Sequence, residues 1–137
     1  MSCKSALYAA MQTPTAVAVD GVIPLGSLIR RYGCDVALNG NAVNITGGNQ
    51  SAGYYDVDAS VTVSPAAAGT VTITLYKDGV AVPGATASET AAANGTVDLS
   101  IPALVRQVRC AAGSALTLVL TGVAATVNNV ALRVQRI

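Results

Sequence analysis

Cysteine is the residue type most able to do covalent chemistry in this chain, and Cys110 in the stretch VRCAAG is the strongest candidate. Arg106 and Arg109 are close to it in sequence and could activate its thiol. A serine or cysteine nucleophile also needs a nearby base, usually histidine, and the chain contains no histidine. A buried structural cysteine is therefore the preferred interpretation, and the sequence predicts a protein that is not an enzyme.

Metal and cofactor sites are not predicted either. The three cysteines, Cys3, Cys34 and Cys110, are widely spaced, without a Cys-x-x-Cys pair and without histidine to complete a zinc site. Three reduced thiols are the preferred interpretation, and a Cys34–Cys110 disulfide is the alternative. The glycine-containing stretches GVAVPG and GGNQSAG lack the lysine and the following helix of a phosphate-binding loop. We therefore expect no cofactor and no metal.

Charge and hydropathy narrow the range of partners. Eight Lys and Arg residues against seven Asp and Glu residues give a formal net charge of +1, and 11% of the 137 residues are charged. Because phosphate neutralisation supplies most nucleic-acid affinity, this balance argues against a nucleic-acid partner. No apolar run approaches the roughly 20 residues that span a bilayer, and the N-terminal stretch lacks the apolar segment of a signal peptide. Since soluble domains are about one-quarter charged, the low charge predicts an oligomer.

The side chains that carry the function of the chain must be positioned by β-strands. Apolar and polar residues alternate through GYYDVDASVTV (residues 53–63), TVTITLYK (residues 70–77) and TVDLSIPAL (residues 96–104), as in half-buried antiparallel strands. Asp78-Gly79 predicts a tight hairpin turn, Pro83 an edge or end position, and Asn128-Asn129 the approach to a terminal strand. Roughly eight to ten short strands at this spacing predict one all-β sandwich or barrel. The predicted inward residues are Tyr55, Val57, Ala59, Val61, Val63, Val71, Ile73, Leu75, Val97, Leu99 and Ile101.

The order of the strand segments also carries a resemblance. The stretches IPLGSLIRRYGCDVALNGNAVNITG, GYYDVDASVTVSPAAAGTVTITLYKDGVAVPGATAS and LTLVLTGVAATVNNVALRVQRI follow one another in the chain. In this order they resemble the complement globular-head and tumour-necrosis-factor-like superfamily, and more closely its small phage- and prophage-encoded members. The resemblance covers about residues 20–137 and implies a jelly-roll β-sandwich of two antiparallel sheets. It also implies a homotrimer in which one sheet of each subunit packs around a threefold axis.

The resemblance places the strand that begins at Gly53 near this threefold axis. Asp56 occupies a position that is often apolar in the tumour-necrosis-factor branch, which implies a partly wet axis. Members of the complement branch can bind calcium, and Asp56 and Asp58 share one face of their strand. Calcium takes six to eight oxygen ligands, so a solvated face is preferred over an ion site on the axis. The expected interface residues are Tyr54, Asp56, Leu118 and Leu132.

Residues 1–19 are expected to form an N-terminal arm before a single jelly-roll domain, residues 20–137. Residues 4–12 are the one helical candidate, although a helix this short is not stable alone. The expected function is a homotrimeric capsid decoration or head-fibre protein on a phage virion, assembled in the bacterial cytoplasm. The alternative is a receptor- or glycan-recognition tip of a tail fibre or bacterial surface filament. The expected contacts of the arm with the particle are Ser5, Leu7, Tyr8 and Met11.

Overall fold

The protein is a sandwich of two antiparallel β-sheets, seen in a computed structural model that describes residues 5–48, 51–108 and 112–137. This confirms the predicted all-β jelly-roll class. Within the described residues, no helix is long and apolar enough to cross a membrane. The described residues form eleven strands: β1 (Ala6–Met11), β2 (Thr15–Val17), β3 (Ser27–Tyr32), β4 (Val36–Asn39), β5 (Ala42–Ile45), β6 (Gly53–Pro65), β7 (Gly69–Lys77), β8 (Val80–Ala91), β9 (Val97–Gln107), β10 (Ser114–Gly122) and β11 (Ala125–Arg136).

The two sheets differ in strand number. The six-stranded sheet has the order β3-β1-β11-β6-β9, with β2 also paired to β11, and the five-stranded sheet has the order β4-β5-β10-β7-β8. The core lies between them, because alternate side chains of each strand point inward and exclude water. Every residue predicted to face inward on β6, β7 and β9 is at most 6% exposed. The alternation in the sequence therefore gave the correct faces for these three strands.

The hairpin between β7 and β8 also agrees with its sequence. Asp78 and Gly79 have φ angles of 54° and 82°, the positive values that a two-residue turn between antiparallel strands needs. Pro83 lies on β8, which is an edge strand of the five-stranded sheet. An edge position tolerates proline because one side of the strand needs no hydrogen-bond donor.

The N-terminal segment is not an arm in the residues that the structure describes, and the helical candidate at residues 4–12 is wrong. Residues 6–11 form β1, which lies inside the six-stranded sheet between β3 and β11. Leu7, Ala9 and Met11 are buried in the core, so their spacing of two is that of a half-buried strand. Pairing on both sides also satisfies the backbone of this short segment, which a helix of that length could not do as stably.

The segment after β2 crosses from the six-stranded sheet to the five-stranded sheet. The backbone N–H of Asp20 donates to the Leu120 carbonyl at 2.7 Å, and that of Ile23 donates to the Leu118 carbonyl at 2.8 Å. Ile23 is fully buried. The chain then returns to form β3 at the edge of the six-stranded sheet. The predicted boundary at residue 19/20 thus falls within a segment that is integrated into the sandwich.

Asn128-Asn129 does not precede the terminal strand, as predicted, but lies within it. Strand β11 begins at Ala125, and its pairing with β6 shifts register between Val127 and Asn129. The shift is a β-bulge, which accommodates one extra residue without ending the strand. The Asn128 side-chain amide donates to the Ser64 hydroxyl of β6 at 2.9 Å, so the bulge is held by a cross-strand contact.

Candidate functional site

The outer face of the six-stranded sheet, the face turned away from the core, collects charged side chains at its centre. Strand register places Tyr8 of β1 opposite Arg133 of β11, and Arg133 opposite Asp58 of β6. Asp56, two residues before Asp58, lies on the same face and is opposite Leu104 of β9. These positions come from segments far apart in sequence, so the face exists only after β1 and β11 have paired with β6.

Arg133 is the charged centre of this face. Its guanidinium lies 3.4 Å from the carboxylate of Asp58 and 3.7 Å from that of Asp56. All three side chains are about half exposed, and such pairs contribute at most about 1 kcal/mol in water. The guanidinium of Arg133 therefore provides the positive charge beside both carboxylates. In the described part of the chain, no group of three potential metal ligands comes together.

Large apolar side chains surround this charged centre. Tyr8 is 41% exposed, Tyr54 is 48% exposed and Leu104 is 56% exposed. Tyr32 of β3 lies opposite Ala6 on the same face and is also exposed. Three of the five tyrosines of the chain are thus exposed on one face. Exposed apolar groups gathered in this way are typical of interaction surfaces, and tyrosine is enriched in protein interfaces.

A strip of small residues crosses the same face beside the charged centre. Ala10 is opposite Ala131, Ala131 is opposite Ser60, and these residues belong to β1, β11 and β6. Ser100 of β9 continues the strip opposite Ser60. Because none of these side chains extends far from the backbone, another protein surface can approach the sheet closely along this strip.

The outer face of the five-stranded sheet has a different chemistry. Hydroxyl groups on β7 and β8 pair across the strands: Thr70 with Thr90 at 2.9 Å, and Thr72 with Ser88 at 2.7 Å. A third pair, Thr74 with Thr86, has an oxygen–oxygen distance of 2.9 Å. Each hydroxyl has one partner within the sheet and remains accessible to water.

Two of the four residues predicted for the interface lie on the outer face of the six-stranded sheet. Tyr54 and Asp56 are there, and their role in an interface stays a prediction. The prediction for Leu118 and Leu132 is wrong, because these side chains are 1% and 2% exposed and belong to the core. Leu118 is paired with the inward residue Leu75 of β7, so it points between the sheets.

The predicted anchor to a particle fails for three of its four residues. Leu7 and Met11 are buried in the core, and Ser5 is buried against Asp35. These side chains cannot contact a partner without opening the sandwich. Tyr8 is exposed, but it lies on the same outer face as Tyr54 and Arg133, and we therefore regard it as part of that face.

A buried polar cluster at one end of the sandwich had no signal in the sequence. The Asp35 carboxylate accepts hydrogen bonds from Arg136 at 2.6 Å, from Ser51 at 3.1 Å and from Ser5 at 3.1 Å. Arg136 also donates to the Ala52 carbonyl at 2.5 Å. Asp35 and Arg136 are only 2% and 10% exposed. The cluster therefore ties both ends of the described chain to the β3–β4 and β5–β6 loops.

Tyr55 closes this cluster from the core side. Its hydroxyl donates to the Ser51 carbonyl at 2.8 Å, and the guanidinium carbon of Arg136 lies 5.9 Å from the centre of its ring. This separation is within the range of a cation–π contact. The Ser51 hydroxyl is also hydrogen-bonded to the Thr46 hydroxyl. The residues of the cluster are far apart in sequence and form no regular pattern in it. Only the folded structure therefore reveals the cluster.

Of the residues considered for covalent chemistry, the structure describes only Cys34 and Arg106. Cys34 is exposed, and its sulfur lies 3.7 Å from the Asp35 carboxylate. Cys3, Arg109 and Cys110 lie outside the described residues, so the alternative of a Cys34–Cys110 disulfide stays a prediction. Arg106 is on the exposed edge strand β9.

Comparisons with known proteins place the fold. No protein-family model matches the chain, and no curated protein matches its sequence. Among solved structures, murine APRIL matches with a TM-score of 0.69 and 11% identity, covering 96% of this chain and 98% of that one. The globular domain of zebrafish complement 1qA protein gives 0.66 and 8%, covering 93% and 94%.

A vertex protein also shares this fold. The PRD1 vertex protein P5 matches with a TM-score of 0.56 and 10% identity, covering all of this chain and 99% of that one. Identities this low establish the fold alone. The chain has the jelly-roll fold that is shared by the tumour-necrosis-factor and complement C1q globular domains.

Proposed function

We propose that this chain is a non-enzymatic structural protein of a phage particle and that it assembles as a homotrimer. The subunits pack through the outer face of the six-stranded sheet. The observation that carries this proposal is the gathering of Tyr8, Tyr32, Tyr54 and Leu104 around the Arg133–Asp56–Asp58 centre on that face. The low charge of the chain, 11% of its residues, agrees with a protein that covers part of its surface.

The chemistry of this face suits a contact between identical subunits. The tyrosines supply large rigid contact area, and Arg133 already lies between two carboxylates, so covering it leaves no isolated positive charge. The strip of small residues that includes Ala131 and Ser60 permits close approach.

The assignment to a particle is supported by the shared fold of the PRD1 vertex protein P5 and by the resemblance of the sequence to phage-encoded jelly rolls. We propose the virion surface as its location and a shell protein as its partner. The shell contact cannot use Leu7 or Met11, because both are in the core. It must use a surface that the trimer leaves exposed.

Light scattering coupled to size-exclusion chromatography tests the assembly. The expected mass at micromolar concentration is three times the 13.6 kDa of the single chain. A clean monomer would contradict the assembly and, with it, the role given to the outer face of the six-stranded sheet.

Mass spectrometry of purified particles, separated into capsid and tail fractions, tests the location. We expect the chain in the capsid fraction at a fixed ratio to the major shell protein. Presence in tails alone would favour a recognition tip of a tail fibre. Absence from particles would exclude the virion role and favour a recognition module on a bacterial surface filament.

A further inference from the structure

Strand β3, with the sequence SLIRRY, is an edge strand that the rest of the described structure leaves uncovered. All six of its side chains are exposed. It pairs with β1 on one side, and it is the outermost strand of the six-stranded sheet. An edge strand offers a row of backbone donors and acceptors to any extended chain that approaches it.

The edges at β4, β8 and β9 carry features that discourage strand addition. Strand β4 has only four residues, β8 contains Pro83 followed by Gly84, and β9 contains Pro102. Short edges and prolines are common means of preventing edge-to-edge pairing. Strand β3 has six residues, and its sequence contains neither proline nor a carboxylate. It is therefore longer than β4 and, unlike β8 and β9, free of proline.

Strand β3 carries an exposed apolar side chain on each face. Leu28 is opposite Ala9 in the inward row, yet it is 43% exposed. Ile29 lies at a register shift in the pairing with β1 and is 54% exposed. Tyr32 is exposed on the outer face. Each face of β3 therefore has apolar surface that an added strand would cover.

Charge determines which kind of segment fits this edge. Arg31 is opposite the inward residue Leu7 and Arg30 is opposite the outward residue Tyr8, so one guanidinium stands on each face of β3. No carboxylate of the described residues lies within ion-pair distance of either. Pairing β3 with β3 of another copy would bring like charges together, which is unfavourable across strands. A segment with carboxylates is favoured instead.

We propose that β3 binds an extended acidic peptide segment of a partner protein, which adds as a strand to the edge of the six-stranded sheet. Backbone hydrogen bonds hold the segment, and its carboxylates pair with Arg30 and Arg31. This mode of recognition uses alternate side chains for specificity. In the particle, the segment belongs to the shell protein, and that assignment rests on the proposed function. Strand β3 then makes the particle contact that was predicted for the N-terminal arm.

Binding of synthetic peptides to the isolated protein tests this proposal. The probe is a capped octapeptide of alternating valine and glutamate, and the control peptide has lysine in place of glutamate. We expect the glutamate peptide to bind more tightly, to weaken as salt rises, and to protect the amides of residues 27–32 from hydrogen exchange. Equal binding of both peptides, no binding at millimolar concentration, or protection elsewhere would overturn the proposal.

Two variants with the same change in net charge distinguish binding at β3 from a general effect of the net charge of the protein. Arg31→Gln should weaken binding about threefold, the scale of one exposed ion pair, whereas Ser88→Glu on the five-stranded sheet should not change it. Because Arg31 points away from the outer face, Arg31→Gln should leave the trimer mass intact, so failure here is distinguishable from failure of the trimer. If Arg31→Gln promotes an assembly larger than a trimer, copies of β3 pair with each other. That result would overturn the proposal of an acidic partner segment.

Discussion

Both sheets are antiparallel, but the side chains on their outer faces differ in whether they find partners within the sheet. On the five-stranded sheet, threonine and serine hydroxyls of β7 and β8 pair with each other at 2.7–2.9 Å. On the six-stranded sheet, tyrosines and Leu104 remain exposed around Arg133. The first face is stable in water as it stands. The second exposes apolar surface whose burial is worth roughly 25 cal/mol per Å², so it gains from a partner.

The exposed apolar and charged patch of the six-stranded sheet depends on pairing between strands that are distant in sequence. Every outward position of β7 belongs to a hairpin that forms locally with β8. The outer face of the six-stranded sheet needs β1 from the N-terminus, β11 from the C-terminus and β6 from the middle of the chain. Variants that damage this assembly of strands should therefore affect one sheet much more than the other.

The largest effect is expected from Asp35→Ala, which removes the partner of Arg136 at the end of the six-stranded sheet. Breaking a buried ion pair costs about 3–5 kcal/mol of unfolding free energy, because the remaining charge is left without compensation. Urea unfolding of the protein should show this loss. Asp98→Ala is the control: Asp98 accepts a hydrogen bond from Thr62 at 2.7 Å in an exposed position, and its loss should cost about 1 kcal/mol or less.

Hydrogen exchange on Asp35→Ala shows which of the two sheets depends on the Asp35 cluster. Amides of β1 and β3 should lose protection first, since Asp35 binds Ser5 just before β1 and follows β3 closely in the chain. Amides of β7 and β8 should keep theirs. Uniform loss across both sheets would contradict the idea that the Asp35 cluster secures the six-stranded sheet in particular.

Next in size is the effect of Tyr54→Glu on assembly. A charge placed at a buried tyrosine of an interface should weaken the trimer by at least about 2 kcal/mol, or roughly thirtyfold in dissociation constant. Light scattering across a dilution series measures this shift. The matched control is Ser88→Glu on the opposite face, which should dissociate like the native protein. If both variants weaken the trimer equally, the two faces do not differ as proposed.

A smaller effect is expected from Arg133→Ala. In the monomer the exposed pairs with Asp56 and Asp58 contribute at most about 1 kcal/mol, so the unfolding free energy should change little. In the trimer the two carboxylates would be covered without their cation, and assembly should weaken more than folding does. Measuring both quantities on one variant tests this order. A larger loss in folding than in assembly would place Arg133 outside the subunit contact.

The smallest effect is expected on the five-stranded sheet, from the double variant Thr72→Val with Ser88→Ala. Replacing both partners of a hydrogen bond by apolar groups of similar shape is nearly neutral. The unfolding free energy should change by about 0.5 kcal/mol or less, and the trimer mass should be unchanged. A loss of the trimer here would show that the hydroxyl face, too, takes part in assembly.

The sequence was most informative where structure is local. The alternation in β6, β7 and β9 gave their inward faces, and Asp78-Gly79 gave the hairpin turn. Leu118 and Leu132 show the limit of the interface prediction. Both alternate with threonine, alanine or arginine, and an apolar residue that alternates in this way on a half-buried strand faces the core. The structure returned both to the core.

The contacts between segments that are distant in sequence became known only from the tertiary structure. It placed β1 inside a sheet, brought Tyr8 beside Arg133, and assembled the cluster of Ser5, Asp35 and Arg136. Period-two alternation determined that the chain is an all-β sandwich, because the two faces of a strand follow directly from residue spacing. Which strands become neighbours depends on the packing of the whole chain, and the exposed face, the buried cluster and the open edge at β3 all follow from those neighbours.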